Sequence, residues 1–263
     1  MHGTIPTKDV NATRAVAREL PYLRRYARAL CGSQEAGDHH VRNCLEVLLQ
    51  DWSALVAPAQ DVRLGLFRLF HDLTLPFEAL DDDAGLPMRS RQLLLLVQIE
   101  RFSLHEAAEI LRMDYAEAVI CCRAAQTQLR YRPALRALVM EDEPLVAAYV
   151  ADVLEDMGHQ VIATVKNQAD AVAMARHRRP DLVVSGCASG HGGDGYAAVQ
   201  KLLSSVPMPV VFVTDTPETL LTGDRHEPSF IVTKPFDDMT LMTTVTLAVL
   251  CGRSRAPVPL AAE

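Results

Sequence analysis

The second half of this chain alternates short, almost wholly apolar runs with helical periods, and that alternation leaves few folds open. The runs are Ala137 to Met140, Gln160 to Thr164, Asp181 to Ser185, Pro209 to Val213 and Ser229 to Thr233. Between and after them, Asn167 to His177, Asp194 to Ser204 and Asp237 to Leu250 repeat apolar residues at helical spacing. A strand with one wet face alternates apolar and polar residues; runs that are apolar throughout need cover on both faces. Five such strands with intervening helices predict a doubly wound, five-stranded parallel α/β sheet over residues 137–251.

In sheets of this kind functional groups gather at the carboxyl ends of the strands. That edge collects Glu141 and Asp142 after the first run, Gly186 after the third, Thr214 after the fourth, and Lys234 with Pro235 after the fifth. Carboxylates at a strand end can ligate a hard cation such as Mg²⁺. The order of acidic pair, acceptor position, Thr and Lys-Pro resembles the receiver domain of two-component response regulators over residues 137 to 250. The resemblance implies a metal role for Glu141 and Asp142, a switch hydroxyl at Thr214, a phosphate partner at Lys234 and a phosphoacceptor at position 186.

Position 186 is glycine, and acyl-phosphate chemistry needs a carboxylate oxygen as nucleophile. The neighbours offer no replacement. Asp181 lies at the strand's entrance, about 15 Å from its exit at strand rise. Asp194 is expected to cap the next helix, and Ser185 and Cys187 alternate away from position 186 toward the packing faces. The glycine-rich stretch 188–193 lacks the spacing of a phosphate-binding loop. Asp215 either adds a negative charge that disfavours an anion beside Thr214 or is a solvated loop residue ahead of Pro217. No cofactor is required on this reading, and Mg²⁺ binding at Glu141 and Asp142 is expected to be weakened.

The first half is helical by period. Leu20, Leu23, Tyr26, Ala27 and Leu30 recur at three and four, as do Val41, Leu45, Leu48 and Leu49, then Leu64, Phe67 and Phe70. A turn-rich stretch from Leu75 to Pro87, carrying the acidic run Asp81 to Asp83, separates this block from a second one. There Ser90 to Glu100 reads as a leucine-rich helix, Ser103 and Glu106 form a capping box ahead of Leu104 to Leu111, and Tyr115 to Arg130 follows a short turn. That is a helix-turn-helix. Residues 89–96 and 102–111 resemble region 4 of an extracytoplasmic-function sigma factor, and Leu20 to Leu30 resembles the start of region 2. The domains expected are therefore an all-α sigma-factor-like domain at 1–132, region 2-like over about 10–60 and region 4-like over about 88–132, then the receiver at 137–251 and a disordered tail at 252–263.

Charge argues against the usual use of a helix-turn-helix. Residues 1–136 hold 17 Lys and Arg against 17 Asp and Glu, so the remainder carries the whole net charge of −7. A recognition helix meets bases and phosphates with its N-terminal residues, which here are Tyr115, Ala116, Glu117, Ala118 and Val119. They bring no cation, and Glu117 would face the phosphates; Arg123, Arg130 and Arg132 come too late on the helix. The six cysteines form no Cys-x-x-Cys pair and read as reduced, buried thiols. No signal-type segment opens the chain and no run of about 18 apolar residues occurs, which predicts a soluble cytoplasmic protein without a membrane partner.

A sigma-like domain joined to a receiver resembles the PhyR family of general stress response regulators. The shared stretches include Glu141 to Leu145, Gly158-His159, Pro217 to Gly223 and Lys234 to Phe236. The resemblance implies an anti-anti-sigma factor: a sigma mimic that captures a small anti-sigma protein of the NepR type, with phosphorylation loosening the receiver from the mimic. A histidine kinase is a further candidate partner. With glycine at 186, three readings stand: a mimic independent of aspartyl phosphorylation, a decoy or antagonist of a phosphorylatable relative, or a DNA-binding transcription regulator with a degenerate receiver. No nucleophile-base constellation supports an enzyme.

Overall fold

The computed structural model describes residues 7–55, 61–73, 86–129, 134–187, 208–222 and 227–253. The acidic run 81–83, the glycine-rich loop and helix expected over 188–204 with Asp194, Arg130, Arg132 and the tail from 254 lie outside them.

The first helical block holds α1 (Thr7–Cys31), α2 (Gln34–Gln50) and α3 (Val62–Leu73). Ser33 caps α2 by accepting a bond from Ala36 N at 3.2 Å. The first two helices approach so closely at Gly37 that a Cβ there would fall 2.6 Å from Arg28 N. Only glycine fits. Leu23, Tyr26, Leu30, Phe67 and Phe70 are buried, with the Tyr26 ring edge-on to Phe67 and Phe70 at 5.4 and 5.8 Å. Leu49 departs from the expected stripe: it is 79% exposed, because one residue past Leu48 it is turned by about 100° off the buried face.

In the second block α4 (Met88–Leu94), α5 (Leu104–Ile110) and α6 (Tyr115–Leu129) build the helix-turn-helix. The helix expected to run unbroken to Glu100 instead ends in a π turn over Leu95–Ile99, where Glu100 N bonds to Leu95 O at 3.0 Å. The widened turn carries Glu100 into the interior, where it is 1% exposed. The capping box forms: Ser103 Oγ accepts from Glu106 N at 3.2 Å and Glu106 Oε2 from Ser103 N at 2.7 Å.

The α/β half contains β1 (Arg136–Met140), α7 (Pro144–Asp156), β2 (Gln160–Val165), α8 (Gln168–Arg178), β3 (Leu182–Cys187), β4 (Val210–Thr214), β5 (Ile231–Thr233) and α9 (Asp238–Arg253). Its five strands lie in the order β2-β1-β3-β4-β5, every pair parallel, so the expected fold class is met. Strand alternation divides the core. Leu138, Met140, Val183, Phe212 and Ile231 pack on one face with Ala171 of α8. Ala137, Val139, Val184, Val213 and Val232 point to the other, into a core continuous with Leu23, Phe67 and Leu94 of the helical half. Leu241, Val245 and Ala248 of α9 belong to that same core, so α9 is packed into the shared interior of the two halves. Cys44 and Cys122 are buried as expected, whereas Cys31, Cys121 and Cys251 are only half-buried. Among the described residues no helix is long and apolar enough to cross a membrane.

Candidate functional site

Register assembles the strand-end residues. Gly186 pairs with Val213, Cys187 with Thr214 and Thr214 with Thr233, while Met140 pairs with Ser185. Glu141, Gly186, Thr214 and Lys234 therefore share one edge, and Lys234 N bonds to Thr214 O at 2.7 Å. The Lys234-Pro235 bond is cis. Asp181 lies at the far end of β3, where its carboxylate accepts from Arg136 N at 3.0 Å. The Thr214 side chain is 1% exposed, with Oγ1 accepting from Thr216 N at 3.2 Å. Asp142 and Asp215 are exposed.

The space over Gly186 belongs to Glu141. A Cβ added at 186 would fall 2.4 Å from Glu141 Oε2 and 2.7 Å from its carboxyl carbon. Lys234 Nζ stands 3.1 Å from that Oε2 and 2.8 Å from Glu143 Oε1. Toward Glu143 the ammonium makes an aligned hydrogen bond; toward Glu141 it is an ion-pair contact that leaves Oε2 buried without an aligned donor among the described residues. Burial pushes the Glu141 carboxyl above the usual range, and Lys234 only partly opposes it. Burial alone would lower Lys234, but its bond to Glu143 and its pairing with Glu141 outweigh that and hold it above the ordinary lysine value. The lysine already has its anions.

Beside this pocket runs a seam that joins the two halves through charges to which the sequence motifs assign no role. Arg25 of α1 grips Glu100 with Nε and Nη2, both at 2.9 Å, and donates through Nη1 to Thr233 Oγ1 at 2.8 Å. Arg24 and Arg28 both pair with Asp38 of α2 and with Glu227, which lies between β4 and β5. The Glu227 backbone N also donates to Gln34 Oε1 at 2.8 Å. Burial pushes Asp38 up, but its bonds to Arg28 and Arg24 prevail and hold it below the usual carboxylate range. Tyr22 bonds to Glu218, and the hydroxyl of Thr240 donates to Gln98 O at 3.2 Å. A cavity of about 410 Å³ opens along the seam, lined by Arg25, Arg63, Glu100, Thr233 and Lys234 among others. The one advance signal was the spacing Arg24, Arg25, Arg28 on the flank of the apolar stripe. Their partners are far apart in sequence and follow no period.

At the helix-turn-helix tip, Tyr115 is 43% exposed and its ring stacks on His105 with centroids 3.8 Å apart. Asp114 caps α6 by accepting from Ala116 N at 2.8 Å. With Asp114 and Glu117 exposed, the face a recognition helix would offer to phosphates is negative.

Known families match all three segments. The family described as the Sigma2 domain of PhyR matches residues 16–71, the sigma-like domain of response regulator PhyR matches 84–130, and the response regulator receiver domain matches 137–246. The phyllosphere-induced regulator PhyR of Methylorubrum extorquens is 35% identical over 264 residues, covering 93% of this chain and 97% of that protein. The crystal structure of response regulator PhyR from Brucella abortus superposes with a TM-score of 0.83 at 36% identity, covering 92% of this chain and 96% of that one. Anti-anti-sigma factor PhyR from Bartonella quintana gives a TM-score of 0.82 at 33% identity, covering 92% and 97%. A sigma-like helical half packed on a five-stranded receiver, matched along nearly its whole length, places this chain in the PhyR family of response regulators.

Proposed function

We propose that this chain is a cytoplasmic anti-anti-sigma factor that captures a small anti-sigma protein of the NepR type through its sigma-like helices, and that it does so without phosphorylation at position 186. The observation that carries the second part is the Glu141 carboxylate lying over Gly186 and paired with Lys234. A phosphoryl group arriving there would find no carboxylate at 186 to attack it and a lysine already neutralised. The first part draws on the relatives, one of which is named an anti-anti-sigma factor, and on the acidic tip of α6.

The residues do not fit a divalent-ion site. Glu141 is buried against an ammonium, Asp142 is exposed, and glycine stands where a third carboxylate would be. Among the described residues no cluster of three His, Cys, Asp or Glu side chains could hold a metal ion. Thr214 and Lys234 keep structural duties at this edge instead, the one receiving Thr216 N and the other pairing with Glu143.

Without a phosphoryl input the balance of closed and open states is set by the seam and by the partner's own binding energy. The seam holds paired charges, and on α9, in the shared core, the buried hydroxyls of Thr243 and Thr246 have no hydrogen-bond partner among the described residues, each at a cost of about 1–3 kcal/mol. The deciding experiment measures binding of the unphosphorylated full-length chain to its anti-sigma protein, alongside labelling by acetyl phosphate with Mg²⁺. Capture without label is the expected result; sequence-specific DNA binding at physiological salt with no capture would reject the proposal. The fully engaged Glu227 favours a second reading, a decoy held closed. Under that reading wild type binds no anti-sigma and Glu227→Gln releases the activity.

A further inference from the structure

A thiol pair spans the same seam. Cys31 ends α1 and Cys251 lies in the last turns of α9, so the two belong to different halves of the molecule. Gly32, which follows Cys31, rests directly on Cys251: a Cβ added to it would fall 2.9 Å from Cys251 Cβ and 3.0 Å from its Sγ. Both cysteines pack on the shared core and both stay half-buried. Arg91, 8% exposed, lies close enough to Cys31 to favour its thiolate, and its buried Nε has no acceptor among the described residues. A disulfide needs Cα atoms roughly 4.4–6.8 Å apart, and adjacent residues lie about 3.8 Å apart. A Cβ on Gly32 would lie 3.9 Å from Cys251 Cα, and Cys31 is the next residue along, so the two cysteines are neighbours across the seam.

We propose that Cys31 and Cys251 are a redox site: a hydroperoxide joins them in a reversible disulfide that fastens the sigma-like helices to the receiver. Its consequence for output rests on the reading of the seam as the state that withholds the sigma-like surface. The steps balance. One thiolate attacks a peroxide oxygen, the O–O bond breaks, and a sulfenic acid and an alcohol or water result. The second thiol then attacks the sulfenic sulfur, the S–O bond breaks, the S–S bond forms and water leaves. The two sulfurs give up two electrons to the peroxide.

Burial pushes the Cys31 thiol up to about 12, with Cys251 adding to the rise and Arg91 opposing it. In the closed state that thiol is protonated at neutral pH and slow to react. Opening wets it, and closing delivers the sulfenic acid to the second thiol. The bond forms on return to the closed state and then holds it.

The test treats the full-length chain with hydrogen peroxide, blocks remaining thiols by alkylation and digests without reductant. Expected is a linked pair of peptides carrying Cys31 and Cys251, lost on adding dithiothreitol and absent from Cys251→Ser. Cys31 and Cys251 both recovered as alkylated thiols, under treatment that oxidises an exposed control thiol, would overturn the proposal. So would linkage of either to Cys121, Cys122 or a second chain. In the second arm, oxidation lowers affinity for the anti-sigma protein at least tenfold in wild type and leaves Cys251→Ser unchanged; a crosslink with undiminished binding overturns the fastening role. Failure of the reduced protein to bind at all counts against the proposed function and leaves the crosslink readable by mass.

Discussion

Arg25 of α1 donates to Thr233 Oγ1 at 2.8 Å, one residue before Lys234. Through that bond the helix that opens the sigma-like half touches the strand that supplies the receiver's lysine. The same guanidinium holds Glu100, delivered by the π turn, so a shift of β5 is felt by α1 and by the end of the Leu95–Ile99 turn together. The coupling has a definite place in the molecule, whatever drives it.

Truncating Arg25 separates the two bonds. Among the described residues Arg25→Ala leaves buried Glu100 only Arg63, at 3.4 Å, as a charged partner, and is expected to destabilise the chain by about 3 kcal/mol. Thr233→Val removes one hydroxyl acceptor from a guanidinium that keeps Glu100, at a smaller loss of about 1.5 kcal/mol. Urea unfolding of the two variants checks the order; equal losses would mean that Glu100 does not need Arg25.

Glu227 is the carboxylate that the receiver half lends to Arg24 and Arg28. Glu227→Gln keeps the shape and removes the charge, while Asp38 continues to hold both arginines. The closed state weakens more than the sigma-like half does. Affinity of the full-length chain for the anti-sigma protein is expected to rise about tenfold, read by calorimetry, and an unchanged affinity would place the latch elsewhere.

Gly186→Asp places a carboxylate where its Cβ must displace the end of the Glu141 side chain. A flexible carboxylate can swing aside, so the variant is expected to fold and to take up phosphoryl label from acetyl phosphate with Mg²⁺, whereas wild type stays unlabelled. Intact mass reads both. Label on wild type would show that another residue accepts the phosphoryl group.

Burial lowers His40 and His159 as well as His71, so acid sensitivity has several sources, of which His71 is the most strongly shifted. Burial lowers His71 to about 3 from an ordinary value of 6.5, and its ring Nε2 lies 2.7 Å from the Tyr26 hydroxyl. The unfolded chain takes up a proton below that ordinary value and the folded chain does not, so stability falls as pH drops from 6.5 toward 3. The slope is at most about 1.4 kcal/mol per pH unit. Asp38, held below its ordinary 3.8, keeps its contribution until lower pH. Urea midpoints between pH 5 and 6.5 should therefore fall less steeply for His71→Gln than for wild type; parallel slopes would exclude His71.

Much of the fold was legible. The apolar runs announced the parallel sheet because strands covered on both faces have no room for polar alternation. The capping box at Ser103 and Glu106 was readable because a cap is a contact between residues three apart. The π turn was not: it adds one residue to a helix without changing its composition, and it moves Glu100 from a helix end to a buried ion pair. Leu49 was misplaced for the related reason that neighbouring leucines share a period but not a face.

Position 186 shows the division most clearly. That glycine offers no nucleophile follows from its formula, and no tertiary structure could alter it. What fills the vacancy is a tertiary matter. Glu141 lies over Gly186, and Lys234 turns to Glu141 and Glu143, because parallel register brings the ends of β1, β3 and β5 to one edge. Arg24, Arg25 and Arg28 likewise stand in the sequence as an unassigned basic cluster. Only the packing of α1 against the receiver and against the second helical block selects Glu227, Thr233 and Glu100 as their partners, since ion pairs between residues far apart in the chain depend on where the backbone is held and leave no period to read.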